Sequence, residues 1–297
     1  MRHAFLLRFI LGSTLFALGC DLPPRPILTP TKPVSATSDD DLLSELDKPP
    51  SLRIDPNWET WDVYYVGGKP VGYNHVTSTL YDVDARVEHT VDNVLFVSQG
   101  HSRIIQRLQQ TSNEGLDGRF LGFDASLQVG PVVTDFRGEI TERPNGQPEL
   151  TLTTQRGMER KSKRLDWRNG YRGLVAIEQT LRDEPMTKRG EIRQFPMLFP
   201  GHYVVVNAKL TCSGPTVVPM LSGQTEELIE IGYQIEFPEG GVVQSTIWTE
   251  ENGRIVRTFA PAINLVSYRT NSKVAKMLPQ SVDHSVVLPV NGTIEEP

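Results

Sequence analysis

Residues 224–271 constrain the fold more than any other stretch, because large apolar side chains alternate there with polar residues or glycine. Over 229–237 the apolar residues occupy every second position, which is the period-2 pattern of a strand with one buried face. The turn residues 238–241 (Pro-Glu-Gly-Gly) and the pair Asn252-Gly253 divide the stretch into three antiparallel strands. Asn-Gly favours a type I′ hairpin turn, in which both central residues have φ > 0.

The same signals recur along the chain from residue 58 onward. Short segments bounded by Gly, Pro and Asn turns predict further strands over 61–65, 71–80, 87–97, 102–111, 120–129, 132–142, 150–154, 192–198 and 203–211. Apolar residues at helical spacing between Gly170 and Pro185 predict a helix over 172–183. A large antiparallel sheet must hide its apolar face. The predicted fold is therefore mainly β, an antiparallel meander curled into a half-barrel or curved sheet around one or two helices.

The first twenty residues have the three parts of a bacterial export signal. Basic residues precede an apolar run over 9–18, which is too short to span a bilayer comfortably. The sequence Ala17-Leu18-Gly19-Cys20 resembles a lipobox, and this resemblance implies diacylglycerol on the Cys20 thiol and removal of residues 1–19. The alternative is an ordinary secretory signal that happens to end in a cysteine.

The rest of the chain divides into a tether, a domain and a tail. Residues 20–57 are rich in proline and predict an extended, lipid-anchored tether. The β-rich globular domain is predicted over 58–278, and residues 279–297 form a C-terminal tail. We expect the protein in a bacterial cell envelope, held at the inner or outer membrane by acyl chains on Cys20 and facing the periplasm or exterior. The net charge of −6 argues against a nucleic-acid partner.

Two stretches are similar to known sequences. Residues 61–75 (WDVYYVGGKPVGYNH) combine an aromatic strand, a Gly-Lys turn and a Val-Gly-Tyr segment with a histidine, and residues 245–258 (STIWTEENGRIVRT) lead on to Tyr268-Arg269-Thr270. Together they resemble the β-rich accessory domain that precedes the catalytic domain in bacterial exported proteins of the transglutaminase-like superfamily. The resemblance covers about residues 58–276. It carries over no catalytic residue, because the Cys, His and Asp triad of the superfamily belongs to the domain that follows, and no cysteine comes after Cys212 here.

This resemblance implies a non-enzymatic envelope lipoprotein whose β domain binds or positions a partner, with a transglutaminase-like module as a candidate. The chain is then either a stand-alone relative of the accessory domain or the front part of a split or truncated protein. The alternative function is a periplasmic carrier that holds a hydrophobic ligand within the curved sheet, by architectural analogy alone. A hydrolase with an unrecognised site is a third hypothesis, which ranks last because no nucleophile is paired with a base. No cofactor and no metal are predicted.

The candidate ligand-binding residues are aromatic. Aromatic side chains dominate ligand grooves, and Trp61, Tyr65, Tyr73 and Trp248 are the set that such a groove would use. The competing interpretation places the same side chains in the core of the β domain.

Three other groups have a chemical and a structural interpretation. Cys212 and His202 would form a nucleophile and base, but they lie at opposite ends of one predicted strand, so a structural cysteine is preferred. His75, His89 and His101 fall on successive strands, and no neighbouring carboxylate supports a metal cluster. One basic run either faces anionic lipid or an acidic polymer or protects an edge strand against pairing; it consists of Arg156, Arg160, Lys161, Lys163, Arg164, Arg168 and Arg172.

The lipid anchor gives a direct prediction. Replacing Cys20 by serine removes the thiol that would carry the acyl chains, so the Cys20→Ser protein should leave the membrane fraction and appear in the soluble envelope fraction. Fractionation with a blot for the protein measures this. Retention of the variant in washed membranes would contradict lipid attachment at Cys20.

Overall fold

A computed structural model describes residues 57–99 and 102–281 of the chain. The predicted signal peptide, Cys20, the tether up to residue 56, His101 and the chain beyond residue 281 lie outside the described residues.

The described chain is mostly strand. Its fourteen strands form one sheet, and each pairs antiparallel with its neighbours because tight turns connect nearly all of them. They are β1 (Trp58–Val66), β2 (Lys69–Tyr81), β3 (Arg86–Gln99), β4 (Ser102–Gly115), β5 (Phe120–Val129), β6 (Val132–Glu142), β7 (Pro148–Arg156), β8 (Glu159–Asp166), β9 (Ile192–Phe199), β10 (Val204–Pro219), β11 (Thr225–Glu236), β12 (Val242–Thr249), β13 (Ile255–Ala260) and β14 (Leu265–Thr270).

The strand order consists of two meanders joined in the middle. Strands β1 to β8 follow one another in space, as do β9 to β14, and the two runs meet where β1 pairs with β14. In that ladder Trp61 lies opposite Thr270 and Val66 lies opposite Leu265. Strands β8 and β9 are the two ends, so the sheet does not close into a barrel. The prediction of a mainly β, curled antiparallel meander is confirmed.

Helix α1 (Ala176–Asp183) lies on the concave side of the sheet. It begins four residues later than the sequence predicted, because the chain before it pairs with β9 instead. The N–H of Arg172 donates to the carbonyl of Pro196 at 3.0 Å, and the N–H of Leu198 donates back to the carbonyl of Arg172 at 3.0 Å. Ala176 and Leu181 are fully buried, so the helix fills the space that the curled sheet encloses.

The main hydrophobic core lies between α1 and the inner faces of both meanders. Its aromatic side chains link strands that are distant in the sheet. The Tyr203 ring, in the turn between β9 and β10, stacks on Phe123 of β5 with centroids 4.6 Å apart and contacts Phe136 of β6 at 4.7 Å. These contacts bring the β5–β6 region against the β9 end, and thus they hold the sheet in its curled form.

A second helix, α2 (Ser272–Ser281), covers part of the outer face. The Asn271 side chain caps it by accepting the N–H of Val274 at 3.0 Å. The helix lies against β1 and β2, where its Ala275 is fully buried. The sequence did not predict this helix, which runs past the predicted domain boundary at residue 278. Within the described ranges, neither helix is long and apolar enough to cross a bilayer.

The turn between β12 and β13 is not of the predicted type I′. A type I′ turn requires φ > 0 at both Asn252 and Gly253, but only Gly253 has it, at +79°. The Gly253 N–H donates to the Glu250 carbonyl at 3.0 Å, so the glycine follows the turn in the left-handed conformation, as in three-residue hairpin loops. Asn252 instead uses its side chain to accept the N–H of Arg254 at 2.9 Å.

Gly253 also allows α1 to approach this turn. A Cβ atom at position 253 would overlap the carbonyl oxygen of Leu181 in α1. Gly223 supplies a matched control, because it closes the β10–β11 turn with φ +82° and an N–H bond to the Met220 carbonyl at 3.0 Å, yet has open space around it.

We predict that Gly253→Ala destabilises the fold more than Gly223→Ala. Both substitutions impose left-handed strain of about 1–2 kcal/mol on alanine, and only the first adds overpacking of about 1–3 kcal/mol. Denaturant unfolding of the two variants measures the difference. Equal losses would show that α1 does not press on this turn.

Candidate functional site

All four candidate aromatic residues lie on the outer face of the sheet. On β1 the residues Asp62, Tyr64 and Val66 point toward the concave side, and strand alternation therefore places Trp61 and Tyr65 outside. Tyr73, on β2, lies opposite Val63 of β1. Trp248 belongs to a small outer cluster with Val218, Leu228 and Val256. None of the four belongs to the main core.

Cross-strand register joins these residues into one surface. Trp248 lies opposite Arg257, Arg257 opposite Tyr268, Tyr268 opposite Val63, and Val63 opposite Tyr73, on five neighbouring strands. We use the name outer aromatic row for Trp61, Tyr65, Tyr73, Trp248, Arg257 and Tyr268. Arg257 and Tyr268 were not among the residues predicted from the sequence to form the site.

A cation lies between two rings in the middle of the outer aromatic row. The Arg257 guanidinium is 4.6 Å from the Trp248 ring centroid and 5.4 Å from that of Tyr268, within the range of cation–π attraction. Tyr65 meets Tyr268 edge-on at 5.8 Å. The Trp248 Nε1–H donates to Glu230 at 3.2 Å. These contacts fix the orientation of the rings.

The other end of the row is built around Trp61. Its ring stacks on His75 at 3.8 Å and lies 6.0 Å from Tyr73, and the Lys276 ammonium of α2 is 4.5 Å from its centroid. Glu59 accepts hydrogen bonds at 2.8 Å from both Trp61 and His75. These two hydrogen bonds hold the pKa of Glu59 below its ordinary value.

Exposure differs along the outer aromatic row. Trp248 is 8% exposed, whereas Trp61, Tyr65, Tyr73 and Tyr268 are half-buried. Partial burial raises the pKa of Tyr65 and of Tyr73 above the ordinary value. The row is therefore a fixed surface of ring faces and edges that solvent still reaches.

The concave side contains an ion network that the sequence analysis did not find. The Arg269 Nε–H donates to Asp62 at 2.8 Å, and its terminal nitrogens donate to the Glu178 carboxylate of α1 at 3.2 and 3.3 Å. Arg182 also donates to Glu178, at 2.9 Å, and its guanidinium lies 4.6 Å from the Trp58 ring. The network ties α1 to β1 and β14.

Burial and charge act against each other in this network. Burial alone would raise the pKa of Glu178, but Arg269 and Arg182 hold it below the ordinary value. Burial raises the pKa of Asp62, and Arg269 offsets this only in part. The charges of Asp62 and Glu178 together hold the pKa of Arg269 above its ordinary value, against the effect of burial.

A second polar cluster fastens α1 to β3 and β4. The Gln179 Nε2 lies 2.6 Å from the His89 ring nitrogen and donates to Glu114 at 3.2 Å. Both partners are fully buried. His75, in contrast, lies on the outer face beside Trp61, so the sheet separates two of the three histidines that were considered as a cluster. Among the described residues, no group of three metal-ligating side chains occurs.

The interior has little room for a ligand beside α1. The cavity next to the ion network, lined by Trp58, Tyr64, Asn74 and their neighbours, measures about 50 Å³, whereas pockets for organic ligands usually enclose roughly 300–1,000 Å³. An acyl chain would have to displace α1 to enter there. This geometry disfavours the hypothesis of a hydrophobic-ligand carrier.

Cys212 and His202 do not meet. The Cys212 thiol is 1% exposed and donates weakly to the Met186 carbonyl at 3.7 Å. His202 lies between the Phe199 and Phe237 rings, and burial lowers its pKa. The geometry fits a structural cysteine.

The basic run is divided among several elements. Its central residues, Arg160, Lys161, Lys163 and Arg164, belong to the end strand β8, whereas Arg172 donates to Thr180 of α1 at 2.9 Å. Beyond β8 a surface cleft of about 310 Å³ lies between Arg143, Pro148, Trp167 and Arg168.

This geometry defines a β-barrel-like domain with a filled interior and an aromatic outer surface. No protein-family model matches the chain, and no curated protein is significantly similar to it. Among solved structures, the chain is similar to a β-barrel-like protein of the domain of unknown function DUF1849 from Brucella abortus, with 11% identity and a TM-score of 0.50 over 73% of this chain and 96% of that one. At this identity the likeness shows the fold alone.

A DUF1089 family protein from Pseudomonas aeruginosa also aligns, with 10% identity and a TM-score of 0.28 over 68% of this chain and 88% of that one. A TM-score this low supports no conclusion about a shared fold. The resemblance to the transglutaminase-like accessory domain is not tested by these comparisons and stays a prediction.

We predict that Arg269→Met destabilises the protein by about 3–5 kcal/mol near neutral pH, because it removes the cation paired with Asp62 and one of the two cations paired with Glu178 in a largely buried network. The exposed Arg137, which bonds Glu139 at 2.6 Å, is the control; Arg137→Met should cost less than about 1 kcal/mol.

The loss of stability caused by Arg269→Met should become smaller as the pH falls. In the normal protein the lowered pKa of Glu178 means that its ion pairs stabilise the fold above its ordinary pKa and less so in more acidic solution. In the variant, burial without Arg269 raises the carboxyl pKa, so the penalty disappears once the carboxyls are protonated. Denaturant unfolding at neutral and acidic pH measures both effects, and a pH-independent loss would contradict the ion-network explanation.

Proposed function

We propose that this protein is a membrane-anchored envelope lipoprotein whose β-barrel-like domain is a non-enzymatic binding module. In this proposal Cys20 carries the anchor and the outer aromatic row contacts a partner protein. The observation that carries the proposal is the row itself. Residues from β1, β2, β12, β13 and β14 converge there through cross-strand register.

The composition of the row supports a protein-binding role. Tryptophan, tyrosine and arginine are the side chains most enriched among the residues that dominate protein–protein binding energy. Here an arginine lies between Trp248 and Tyr268, and Tyr65 and Tyr73 keep part of their rings accessible. Because packing has already fixed these rings, a partner would lose little side-chain entropy in binding them.

The concave side gives less support to the other two functions. A carrier needs an accessible interior, and α1 with its ion network occupies that space. A hydrolase using Cys212 needs an accessible thiol beside a base, and Cys212 is buried away from His202. The outer surface is therefore the better candidate for function.

The anchor and tether agree with this role. The lipobox at residues 17–20 would hold the chain at the membrane, and an extended proline-rich segment spans about 3.1 Å per residue. Such a tether would let the domain search for a partner up to roughly 100 Å from the membrane.

The partner class comes from the sequence resemblance. The two stretches that resemble the transglutaminase-like accessory domain contain Trp61, Tyr73, Trp248 and Arg257, all members of the outer aromatic row. A transglutaminase-like module is therefore the first partner to test. This assignment depends on the resemblance alone.

A photo-crosslinking amino acid at Tyr65, introduced in the source cells, tests the proposal. It should give one discrete adduct, and the same amino acid at Val133 should not. Val133 is the matched control because it is 44% exposed on β6 and outside the row.

The partner identified in that adduct should then bind the purified full chain. Tyr268→Ala and Arg257→Ala should each raise Kd about tenfold or more, as for central interface residues, and Val133→Ala should leave Kd unchanged. Calorimetry measures this. Equal affinity of all variants, or adducts that form equally at both positions, would overturn the outer aromatic row as a binding surface.

A further inference from the structure

The outer edge of β8 is an open end of the sheet. Strand β8 pairs through one edge with β7, from Glu149 opposite Asp166 to Arg156 opposite Glu159, and within the described chain no strand lies beyond it. The backbone N–H and C=O groups on the other edge therefore face outward. An unpaired edge of this kind is a template for an added strand.

The opposite end of the sheet differs in this respect. At β9 the chain itself supplies a short partner, since Arg172 forms a parallel bridge with Met197. Its N–H and carbonyl make two backbone hydrogen bonds of 3.0 Å to the edge of β9. In the part of the chain that the structure describes, β8 has no strand and no such bridge along its outer edge.

The open edge carries positive charge on both faces. Lys163 lies opposite Leu152, a core residue, so Lys161 and Lys163 are on the concave face, and Arg160 and Arg164 are on the outer face. The side chains of Lys161 and Arg164 are 76% and 74% exposed. A strand added beside β8 would meet cations on both of its faces.

The acidic residues of β8 stand at its two ends and are already engaged. Glu159 bonds Lys161 at 2.6 Å, and Asp166 bonds Arg143 at 2.6 Å. The segment 156–172 contains seven Lys or Arg residues and two acidic ones, although the whole chain has a net charge of −6. The positive charge is thus concentrated at the β8 end of the sheet.

The surface cleft continues this edge. Asp166, the last residue of β8, and the following Trp167, Arg168 and Asn169 line one side of the 310 Å³ cleft, and the β6–β7 turn with Arg143 lines the other. A segment that extends beyond the end of β8 would enter this space. There Trp167 supplies a rigid wall, because it is only 5% exposed and packs on Phe120 at 5.1 Å.

We propose that the β8 edge binds an acidic, extended polypeptide segment as an additional strand, with one end of that segment in the adjoining cleft. Main-chain hydrogen bonds would supply affinity, and the lysines and arginines would select acidic side chains. The site is separate from the outer aromatic row and does not depend on it.

The same charges oppose pairing of the open edge with a second copy of itself. A second copy of β8 would place its own cations against those of the first, and like charges directly opposite each other destabilise strand pairing. Basic side chains thus protect the edge against self-association. They do not oppose an acidic strand, so the protection also provides specificity.

The test uses the full chain and a fluorescent, acetylated glutamate-rich peptide of about ten residues, the upper range of strand length. The acidic peptide should bind, and a counterpart with lysine in place of glutamate should bind at least about tenfold more weakly. Fluorescence anisotropy measures both.

Lys161→Glu combined with Lys163→Glu should weaken binding of the acidic peptide about tenfold or more. The charge-matched control, Arg119→Glu with Arg137→Glu, should change it less than about threefold.

Backbone methylation separates strand addition from simple charge attraction. A peptide N-methylated at every second residue keeps one edge able to pair and should bind within about twofold of the parent. A peptide N-methylated at every residue has the same charge and no pairing edge, and it should lose binding at least about tenfold.

Three outcomes would overturn the proposal. Equal binding of the fully methylated peptide would show that charge alone attracts it. If the acidic peptide does not bind while circular dichroism shows that the protein is folded, the β8 edge is not a binding site for acidic strands. Binding to phosphatidylglycerol vesicles without binding to the peptide would make the basic run a membrane-facing patch instead.

Discussion

The pairing of β1 with β14 is the interaction on which the rest of the structure depends. It joins residues 61–66 to residues 265–270, and among the described strands it is the ladder that the two meanders share. The buried Arg269 lies in this ladder and reaches both Asp62 across it and Glu178 on α1. One side chain therefore fixes the junction of the meanders and the position of the helix that fills them.

The two faces of the sheet therefore have different roles. The concave face is committed to α1, through apolar packing, the ion network and the contact of Gln179 with His89 and Glu114. Removing a partner from a buried network costs far more than removing an exposed pair, so this side is suited to rigidity. The outer face and the free edge of β8 retain accessible side chains and backbone groups. Recognition is therefore better sought there than inside the curled sheet.

Local patterns predicted local structure well. Strands β5 and β6 have the predicted bounds, 120–129 and 132–142, because alternation and the Gly130-Pro131 turn are encoded within each hairpin. Strand β8 gave no such signal, since its only large apolar residue is Leu165. The sequence singled out Trp61, Tyr65, Tyr73 and Trp248 but could not decide which face of the sheet would be concave. In the ion network Arg269 is separated from Glu178 by 91 positions and from Asp62 by 207 positions. Sequence periodicity predicts no contact across such separations.

The β1–β14 ladder also has a consequence for the order in which the chain folds. Each meander is built from hairpins whose partners are close in sequence, so both can form early at small entropic cost. Among the described strands β1 is synthesised first, yet its second neighbour, β14, is synthesised last. Until β14 arrives, β1 is an exposed edge in the middle of the future sheet, and Asp62 lacks its arginine. The seam pairs residues about 200 positions apart, so we expect it to close more slowly than the hairpins on either side of it.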